Sequence, residues 1–292
     1  MANESATNNV FVFDLDETLF SISPERLNRS IRASLDPWIA RKNYYPNMEA
    51  PFYMLFPHAM KKIMNTIISS GGKLAFVTAG KFTKEALIGL FNDEYHIQLD
   101  PQKIEFYNKQ FPCKNNALLK IIANNPNAKI IYTDNSQDHI DDADNLYKLF
   151  QAITEHPDSY NDLTNKYIQH VYSPKAEMLR NLIKQHTHNP QYHDYYQKKL
   201  HQLDNDINEF ITLIRQYDKS TTTEIITIYA NTNKGDQGLG NKHIYELDDY
   251  LTKPLELIES SDQKCTGYTT SNFLFYSFVA ATTTLCSAYM FT

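Results

Sequence analysis

The chain has few of the residues that mark several common classes of protein. Its 292 residues include only 3 cysteines and 8 glycines. The cysteine count is odd, no two cysteines form a C-x-x-C pair, and none has zinc-finger spacing, which argues against a disulfide framework and favours a reducing compartment. The glycines of residues 236–242 do not have the spacing of a phosphate-binding loop, so they offer no nucleotide-binding fingerprint.

A large excess of positive charge is also absent. The formal net charge is −6, which gives no electrostatic case for binding nucleic acid. The first nine residues are polar and lack an apolar stretch, so we expect no signal peptide. A hydrophobic content of 42% is enough for a sizeable core, in one large domain or two.

The most informative stretch is an apolar run that ends on two carboxylates. Residues 10–13 read VFVF, and Asp14, Asp16 and Thr18 follow. Such a run predicts a buried strand, and side chains at its carboxyl end face the crevice where α/β sheets bind ligands. Two acids so close repel each other unless a metal ion or a shared proton intervenes, which favours chemistry over packing. An acidic loop at a helix start is the alternative.

This pair of acids suits phosphoryl transfer. A carboxylate such as Asp14 can attack phosphorus and form an acyl phosphate. A second carboxyl such as Asp16 can protonate the leaving oxygen and then deprotonate water. Mg²⁺ prefers oxygen ligands and would neutralise both the acids and the phosphate. We expect the Thr18 hydroxyl to hold the turn after the strand.

Two more predicted strands end on polar side chains. Residues 73–78 end on Thr78, whose hydroxyl can hold a phosphoryl oxygen or merely cap the next helix. Residues 129–134 end on Asp134, a candidate metal ligand, and Asp138 follows as a supporting residue. A helix N-cap is the plain structural alternative for this second pair of acids.

A lysine completes the set of candidate residues. Lys114 opens the apolar helix pattern of residues 115–123. A lysine there can keep a nucleophilic carboxylate ionised and balance phosphate charge. A solvated lysine at a helix start is the alternative on spacing alone. Lys109 and Lys120 are rivals for the same role.

Together these residues resemble the motifs of the haloacid dehalogenase (HAD) superfamily of aspartate-nucleophile phosphatases. The motifs occur in the family's order and span roughly residues 9–154. They comprise a D-x-D-x-T stretch, a strand-terminal threonine, a lysine and a pair of acids: Asp14, Asp16, Thr18, Thr78, Lys114, Asp134 and Asp138.

The resemblance implies a phosphatase and gives several of these residues a role. Asp14 would be the nucleophile and Asp16 the general acid and base, while Thr78 and Lys114 would bind the phosphoryl group. An acid at the second position favours phosphatase over dehalogenase chemistry, because an alkoxide or phenoxide leaving group needs a proton.

The resemblance also implies Mg²⁺ as cofactor. The ion would be bound by the Asp14 carboxylate, the Asp16 backbone carbonyl and the Asp134 carboxylate, with Asp138 in support. We therefore expect the acids at 14, 16 and 134 to converge around one divalent cation. The segment DNSQD that contains the last two acids differs from the D-x-G-x-x-D form of many relatives.

The order of predicted elements indicates an α/β fold with a doubly wound parallel sheet, and the resemblance implies that this sheet is HAD-like. We expect a catalytic domain over residues 1–154, with a small cap insertion at about 20–56. A mainly helical accessory domain is expected over 155–264 and an apolar tail over 265–292. Residues 150–153 are a candidate last strand of the sheet. After a predicted linker or loop over 155–170, further elements are expected at these positions: a helix from 174, a helix over 190–217, a strand over 222–230 and a helix over 245–258.

The tail raises the question of a membrane. No charged side chain occurs from residue 265 to 292, and residues 273–291 are long enough to cross a bilayer as a helix. The segment could be a tail anchor, lie on the membrane or pack in the accessory domain, and we favour membrane association. The catalytic domain would then be cytoplasmic or face a membrane from the cytosol.

The combination of a HAD core, a helical module and an apolar tail is similar in architecture to effector phosphatases of intracellular bacterial pathogens. That resemblance implies host-cell cytosol or membranes as location and phosphotyrosyl protein as substrate. Membrane lipid is a possible partner through the C-terminal region, and no nucleic acid is expected. A small phosphometabolite or nucleotide is the alternative substrate, and a membrane-recruited binding module without turnover is the alternative function.

Overall fold

The structure is a computed structural model that describes most of the chain: residues 8–27, 31, 52–80, 82–108, 114–217, 223–230, 232 and 250–258. These residues belong to one compact unit, Met1–Ile258. The described strands are β1 (Asn9–Phe13), β2 (Phe20–Ser21), β3 (Tyr53–Met54), β4 (Lys73–Thr78), β5 (Glu105–Asn108), β6 (Lys129–Asp134) and β7 (Glu224–Tyr229). The described α-helices are α1 (Pro57–Ser69), α2 (Lys84–Leu90), α3 (Asn115–Asn124), α4 (Gln137–Glu155), α5 (Tyr160–Val171), α6 (Ser173–Gln185) and α7 (Pro190–Gln216). Residues 250–258 are also helical.

Five strands form a parallel sheet in the order β5-β4-β1-β6-β7. The central strand β1 pairs with β4 at Phe11↔Leu74 and with β6 at Phe11↔Ile131. The chain runs outward from β1 through β4 to β5, then returns to the other side of β1 for β6 and β7. The direction of winding therefore reverses between β1 and β6, where open α/β sheets place their ligand crevice. The predicted α/β class with a parallel sheet is confirmed.

Each face of the sheet has its own hydrophobic core. Val10 and Val12 pack in one core with residues of α3 to α7. Phe11 and Phe13 pack in the other with residues of α1, α2 and the helical residues 250–258. Because both faces are covered, β1 reads as a continuous apolar run instead of an alternating one.

Two predictions of secondary structure are wrong. Residues 150–153, the candidate last strand, lie within α4, where Leu146 and Ile153 are buried. Residues 155–170, predicted as a linker, contain most of α5, which buries Tyr167. In both segments the apolar residues recur every three or four positions, and this helical period outweighs the local β-branched or polar content.

The last strand of the sheet comes from the segment predicted as an accessory domain. Strand β7 falls within the predicted strand 222–230 and pairs with β6 from Lys129↔Glu224 to Asp134↔Tyr229. Helices α5, α6 and α7 share a core with α3 and α4. The predicted boundary after residue 154 therefore falls inside one compact unit.

A short antiparallel ribbon lies at the two ends of the predicted cap insertion. Phe20 pairs with Met54, and Ser21 pairs with Tyr53. Most of the insertion between them and the whole apolar tail lie outside the described residues. Within the part of the chain that the structure describes, no helix is both long and apolar enough to cross a bilayer.

Candidate active site

The carboxyl ends of β1 and β6 bring two acids to the same edge of the sheet. Asp14 follows β1 directly, and Asp134 is the last residue of β6. The backbone N–H of Asp14 donates to the carbonyl of Thr133 at 2.9 Å, so the two strand ends are in register. Since side chains alternate along a strand, Asp14 continues the row of Val10 and Val12, which faces the core that contains α3.

A lysine from α3 lies between these two acids. The ammonium of Lys114, the N-cap residue of α3, is 2.5 Å from Oδ1 of Asp14 and 2.7 Å from Oδ2 of Asp134. The exposed fractions of Asp14, Lys114 and Asp134 are 3%, 4% and 0%. These three residues, the acid–lysine cluster, form a buried ionic centre with charge-assisted hydrogen bonds.

Of the two rival lysines, Lys120 pairs with a different acid. Its ammonium is 2.6 Å from Oε1 of Glu209 on α7. Lys109 lies outside the described residues. Of the two candidate lysines that the structure describes, Lys114 is the one that contacts Asp14 and Asp134.

The acid–lysine cluster has two carboxyl groups but only one ammonium to balance them if both are ionised. Burial raises the pKa of Asp14 to about 8 against the opposing effect of Lys114, and the charges of Asp134 and Asp16 raise it further. Burial also opposes ionisation of Asp134, but Lys114 and His139 hold its pKa well below its usual range. Burial acts to lower the pKa of Lys114, yet the two carboxylates hold it above its usual value. An additional cation would relieve this imbalance.

The second acid of the D-x-D motif is held by the end of β4. Oδ2 of Asp16 accepts a hydrogen bond from the hydroxyl of Thr78 at 3.0 Å, and that hydroxyl accepts one from the N–H of Gly80 at 2.9 Å. A Cβ on Gly80 would lie 2.2 Å from Oδ2 of Asp16, so the absent side chain makes room for the carboxylate. Thr78 does not cap the next helix, because the N-cap of α2 is Thr83.

Thr18 ties the turn after β1 to the first acid. Its hydroxyl donates to Oδ2 of Asp14 at 3.0 Å. The backbone N–H groups of Thr18 and Leu19 both donate to the carbonyl of Leu15, which closes the turn. Both carboxylate oxygens of Asp14 therefore have a hydrogen-bond donor, one from Lys114 and one from Thr18.

Asp138 is not brought to the other acids. It is exposed in the first turn of α4, and the described residues show no hydrogen bond or ion pair between it and Asp14, Asp134 or Lys114. The neighbouring His139 contacts Asp134 instead, with its Nδ1 3.3 Å from Oδ2.

Sequence reasoning missed two further partners of Asp134. The hydroxyl of Tyr132 donates to Oδ2 of Asp134, and Nδ1 of His139 lies close to the same carboxylate. Tyr132 stands two residues before the acid on the same strand, so the period of two could have placed both on one face. The contact between His139 and Asp134 could not be predicted from spacing, because it depends on how α4 follows the loop after β6. The N–H of Ser136 also donates to Oδ1 of Asp134 at 2.8 Å.

The donor set at this edge of the sheet suits a magnesium ion. Mg²⁺ keeps several of its waters and takes one or two carboxylates from a protein. Asp14 and Asp134 can supply them, and the backbone carbonyl of Asp16 is the third predicted ligand. A cation at this place would lower the raised pKa of Asp14. Among the residues that the structure describes, no group of three or more His, Cys, Asp and Glu side chains is arranged to hold a metal.

The arrangement as a whole combines groups that acyl-phosphate chemistry needs. It has one buried carboxylate paired with an ammonium, and a second, partly exposed carboxyl held by a hydroxyl. Both lie at the ligand-binding edge of a parallel sheet. Comparisons with protein-family models, with curated proteins and with solved structures find no match to this chain.

Proposed function

We propose that the protein is a phosphatase of the HAD type, which hydrolyses phosphomonoesters through an aspartyl phosphate on Asp14. The observation that carries this proposal is the position of the Lys114 ammonium between Asp14 and Asp134, 2.5 Å and 2.7 Å from their oxygens. A lysine in this place opposes the effect of burial on the pKa of Asp14 and provides positive charge beside an incoming phosphoryl group.

In the first step, an oxygen of Asp14 attacks the phosphorus of the substrate, and the bond from phosphorus to the leaving oxygen breaks. Asp16 gives its proton to that oxygen. In the second step, water attacks the phosphorus of the aspartyl phosphate while Asp16 takes a proton from it. The bond between phosphorus and Asp14 breaks, which releases inorganic phosphate and regenerates the carboxylate.

Other residues hold these groups in place. The Thr78 hydroxyl orients Asp16 in the resting site at 3.0 Å, and the Thr18 hydroxyl orients Asp14 at 3.0 Å. Tyr132 and His139 fix the carboxylate of Asp134. A bound Mg²⁺, held by Asp14, Asp134 and the Asp16 carbonyl, would supply charge neutralisation for the phosphoryl oxygens.

The HAD-like character of the fold is part of this proposal. It is supported by a five-stranded parallel sheet with β1 at its centre and by a ribbon of β2 and β3 directly after the D-x-D motif. The acids follow the two strands at which the winding reverses, β1 and β6.

Phosphotyrosyl protein at a membrane surface is the substrate that we propose, on the architectural resemblance to effector phosphatases. A small phosphomonoester is the alternative. Turnover of a phosphotyrosyl peptide panel beside a panel of sugar, nucleotide and amino-acid phosphates separates the two, since a preference for the small compounds would overturn the first.

The function itself is tested with a chromogenic aryl phosphate and Mg²⁺. We expect release of the phenolate by the wild-type chain and none above background by Asp14→Asn, which keeps the shape of the side chain without its charge. Asp162→Asn, at an exposed acid of α5, is the matched control and should keep the activity. A wild type as inactive as Asp14→Asn would overturn the enzyme and favour a binding module.

A further inference from the structure

The turn that carries Asp16 is held by two side chains from the far end of the described chain. The hydroxyl of Thr232 donates to the backbone carbonyl of Glu17, 215 residues earlier. The hydroxyl of Tyr250 donates to the carbonyl of Thr18, 232 residues earlier. Two successive carbonyls directly after Asp16 thus each accept a hydroxyl from beyond the sheet.

The turn at these carbonyls has a conformation that needs outside support. Glu17 has a φ of 60°, in the left-handed region that side chains other than glycine rarely adopt. A residue held there costs about 1–3 kcal/mol and persists only where its surroundings enforce it. The hydrogen bond from Thr232 to the Glu17 carbonyl is one such constraint.

Thr232 is also linked, through Ala230, to the backbone of Asp134 at the end of β6. The N–H of Ala230, just after β7, donates to the carbonyl of Asp134 at 2.8 Å. The N–H of Thr232 donates to the carbonyl of Ala230 at 2.7 Å. Hydrogen bonds of Ala230 and Thr232 therefore connect the backbone of Asp134 with the backbone of Glu17.

Tyr250 approaches the same turn from the opposite core. It is fully buried, its ring centroid lies 6.3 Å from that of Phe56, and its hydroxyl is 3.9 Å from the sulfur of Met60. A hydroxyl in such an apolar place needs a partner, and the Thr18 carbonyl supplies it. Thr18 is thus held at its carbonyl by Tyr250 and at its hydroxyl by Asp14.

We propose that Thr232 and Tyr250 are positioning residues of the site, which fix the turn of residues 15–20 so that Asp16 faces Thr78 and Thr18 faces Asp14. This inference rests on the proposed function for its effect on catalysis, but the effect on the turn stands independently. According to this inference, Thr232 and Tyr250, which follow β7, are required for the site although they contribute no reacting group.

The variants Thr232→Val and Tyr250→Phe remove each hydroxyl with little change of shape. Thr232→Ser keeps the hydroxyl and should restore the wild-type behaviour. The chain offers matched controls, because the buried hydroxyls of Tyr95 and Thr223 have no hydrogen-bond partner among the described residues. Tyr95→Phe removes a hydroxyl from the same core as Tyr250, and Thr223→Val removes one just before β7.

The first measurement is hydrogen–deuterium exchange of the backbone amides of Thr18, Leu19 and Phe20, which all donate to the Leu15 carbonyl. We expect faster exchange in Thr232→Val and Tyr250→Phe than in the wild type, and wild-type exchange in both controls and in Thr232→Ser. Exchange in the turn that stays at the wild-type rate would overturn the proposal, whatever the activity. Equal damage from Thr232→Ser and Thr232→Val would also overturn it.

The second measurement is steady-state hydrolysis of an aryl phosphate. We expect kcat to fall about tenfold in Thr232→Val and in Tyr250→Phe with KM unchanged, because a small displacement of the reacting acids costs rate and not substrate affinity. If the wild type is active and Thr232→Val and Tyr250→Phe keep the kcat of the controls, the positioning role is wrong, but the proposed phosphatase function is not affected. An inactive wild type with faster exchange in the turn would support the positioning role and overturn the phosphatase.

Discussion

The ammonium of Lys114 lies 2.5 Å from Oδ1 of Asp14, in a site where both side chains are almost completely buried. Neither group could be placed there alone without a large desolvation cost. The pair depends on the register between β1 and β6 and on the start of α3, so the site and the fold are stabilised by the same contacts.

Removal of the lysine should destabilise the protein strongly. Lys114→Met leaves Asp14 and Asp134 buried without their counter-charge, and we expect a loss of about 3 kcal/mol in the free energy of unfolding. Urea denaturation followed by circular dichroism measures it. Lys120→Met is the matched control, because the pair of Lys120 with Glu209 is about one third exposed and should be worth about 1 kcal/mol or less. A larger loss in Lys120→Met than in Lys114→Met would contradict the account.

Asp14 should give the stability a pH dependence in metal-free buffer. Because its pKa is raised from 3.8 to about 8, the folded protein binds this proton more tightly than the unfolded chain does. The resulting stabilisation is complete below pH 3.8 and is lost as the pH rises toward about 8. Asp14→Asn cannot titrate, so its Tm advantage over the wild type should grow from about pH 5 to about pH 8.

Thermal unfolding across that pH range is the measurement for this prediction. Asp138→Asn, at an acid outside the acid–lysine cluster, should show no growing advantage. A Tm difference between Asp14→Asn and the wild type that stays constant with pH would mean that the acid titrates normally and that its burial has no such effect.

Addition of Mg²⁺ should stabilise the folded protein. A ligand that binds only the folded state adds about 2.7 kcal/mol at a hundred times its Kd, and the rise in Tm reports it. We expect this rise in the wild type and in Asp162→Asn, at an exposed acid of α5. Asp134→Asn removes one of the two carboxylates proposed to hold the ion and should lose most of the effect. An equal rise in Tm for Asp134→Asn would show that Mg²⁺ does not bind at this edge of the sheet.

A single methyl group at position 80 should disable the second acid. In Gly80→Ala the new Cβ would lie 2.2 Å from Oδ2 of Asp16, so the carboxylate must leave its place beside Thr78. We expect kcat to fall by about a factor of 100 with a small change in Tm. Gly89→Ala within α2 is the matched control and should keep full activity with equal or higher stability. Wild-type kcat in Gly80→Ala would show that the position of Asp16 is unimportant.

Much of the sheet could be predicted from the sequence, because its strands have strong local signals. β1, β4 and β6 are short apolar runs with a polar residue at their end or directly after it, and their burial on both faces explains the apolar run. The signal was weaker for Phe150–Ile153, where two large apolar side chains close together resemble a short strand. Only the spacing from Ile140 onward shows that they continue a helix.

Some residues of the candidate site could likewise be predicted from the sequence, and others could not. Residues in local motifs, such as Asp14, Asp16 and Thr18, could be found from sequence because their spacing fixes their geometry. The contacts of Thr232 and Tyr250 with the turn could not, since they join segments more than 200 residues apart along the chain and depend on tertiary packing. The supporting role of Asp138 stays a prediction, because the side chain is exposed and the described residues show no direct contact between it and Asp134.

The most direct test of the account is the search for a phosphoryl group on Asp14 during turnover. Asp16→Asn should slow the release of phosphate from the enzyme, because it lacks the base that activates water. Acid quenching of this variant with an aryl phosphate and Mg²⁺, followed by peptide mass spectrometry, should find the added mass of one phosphoryl group on Asp14. Turnover by the wild type with no phosphorylated Asp14 in either protein, or with the phosphoryl group on another residue, would contradict the central claim.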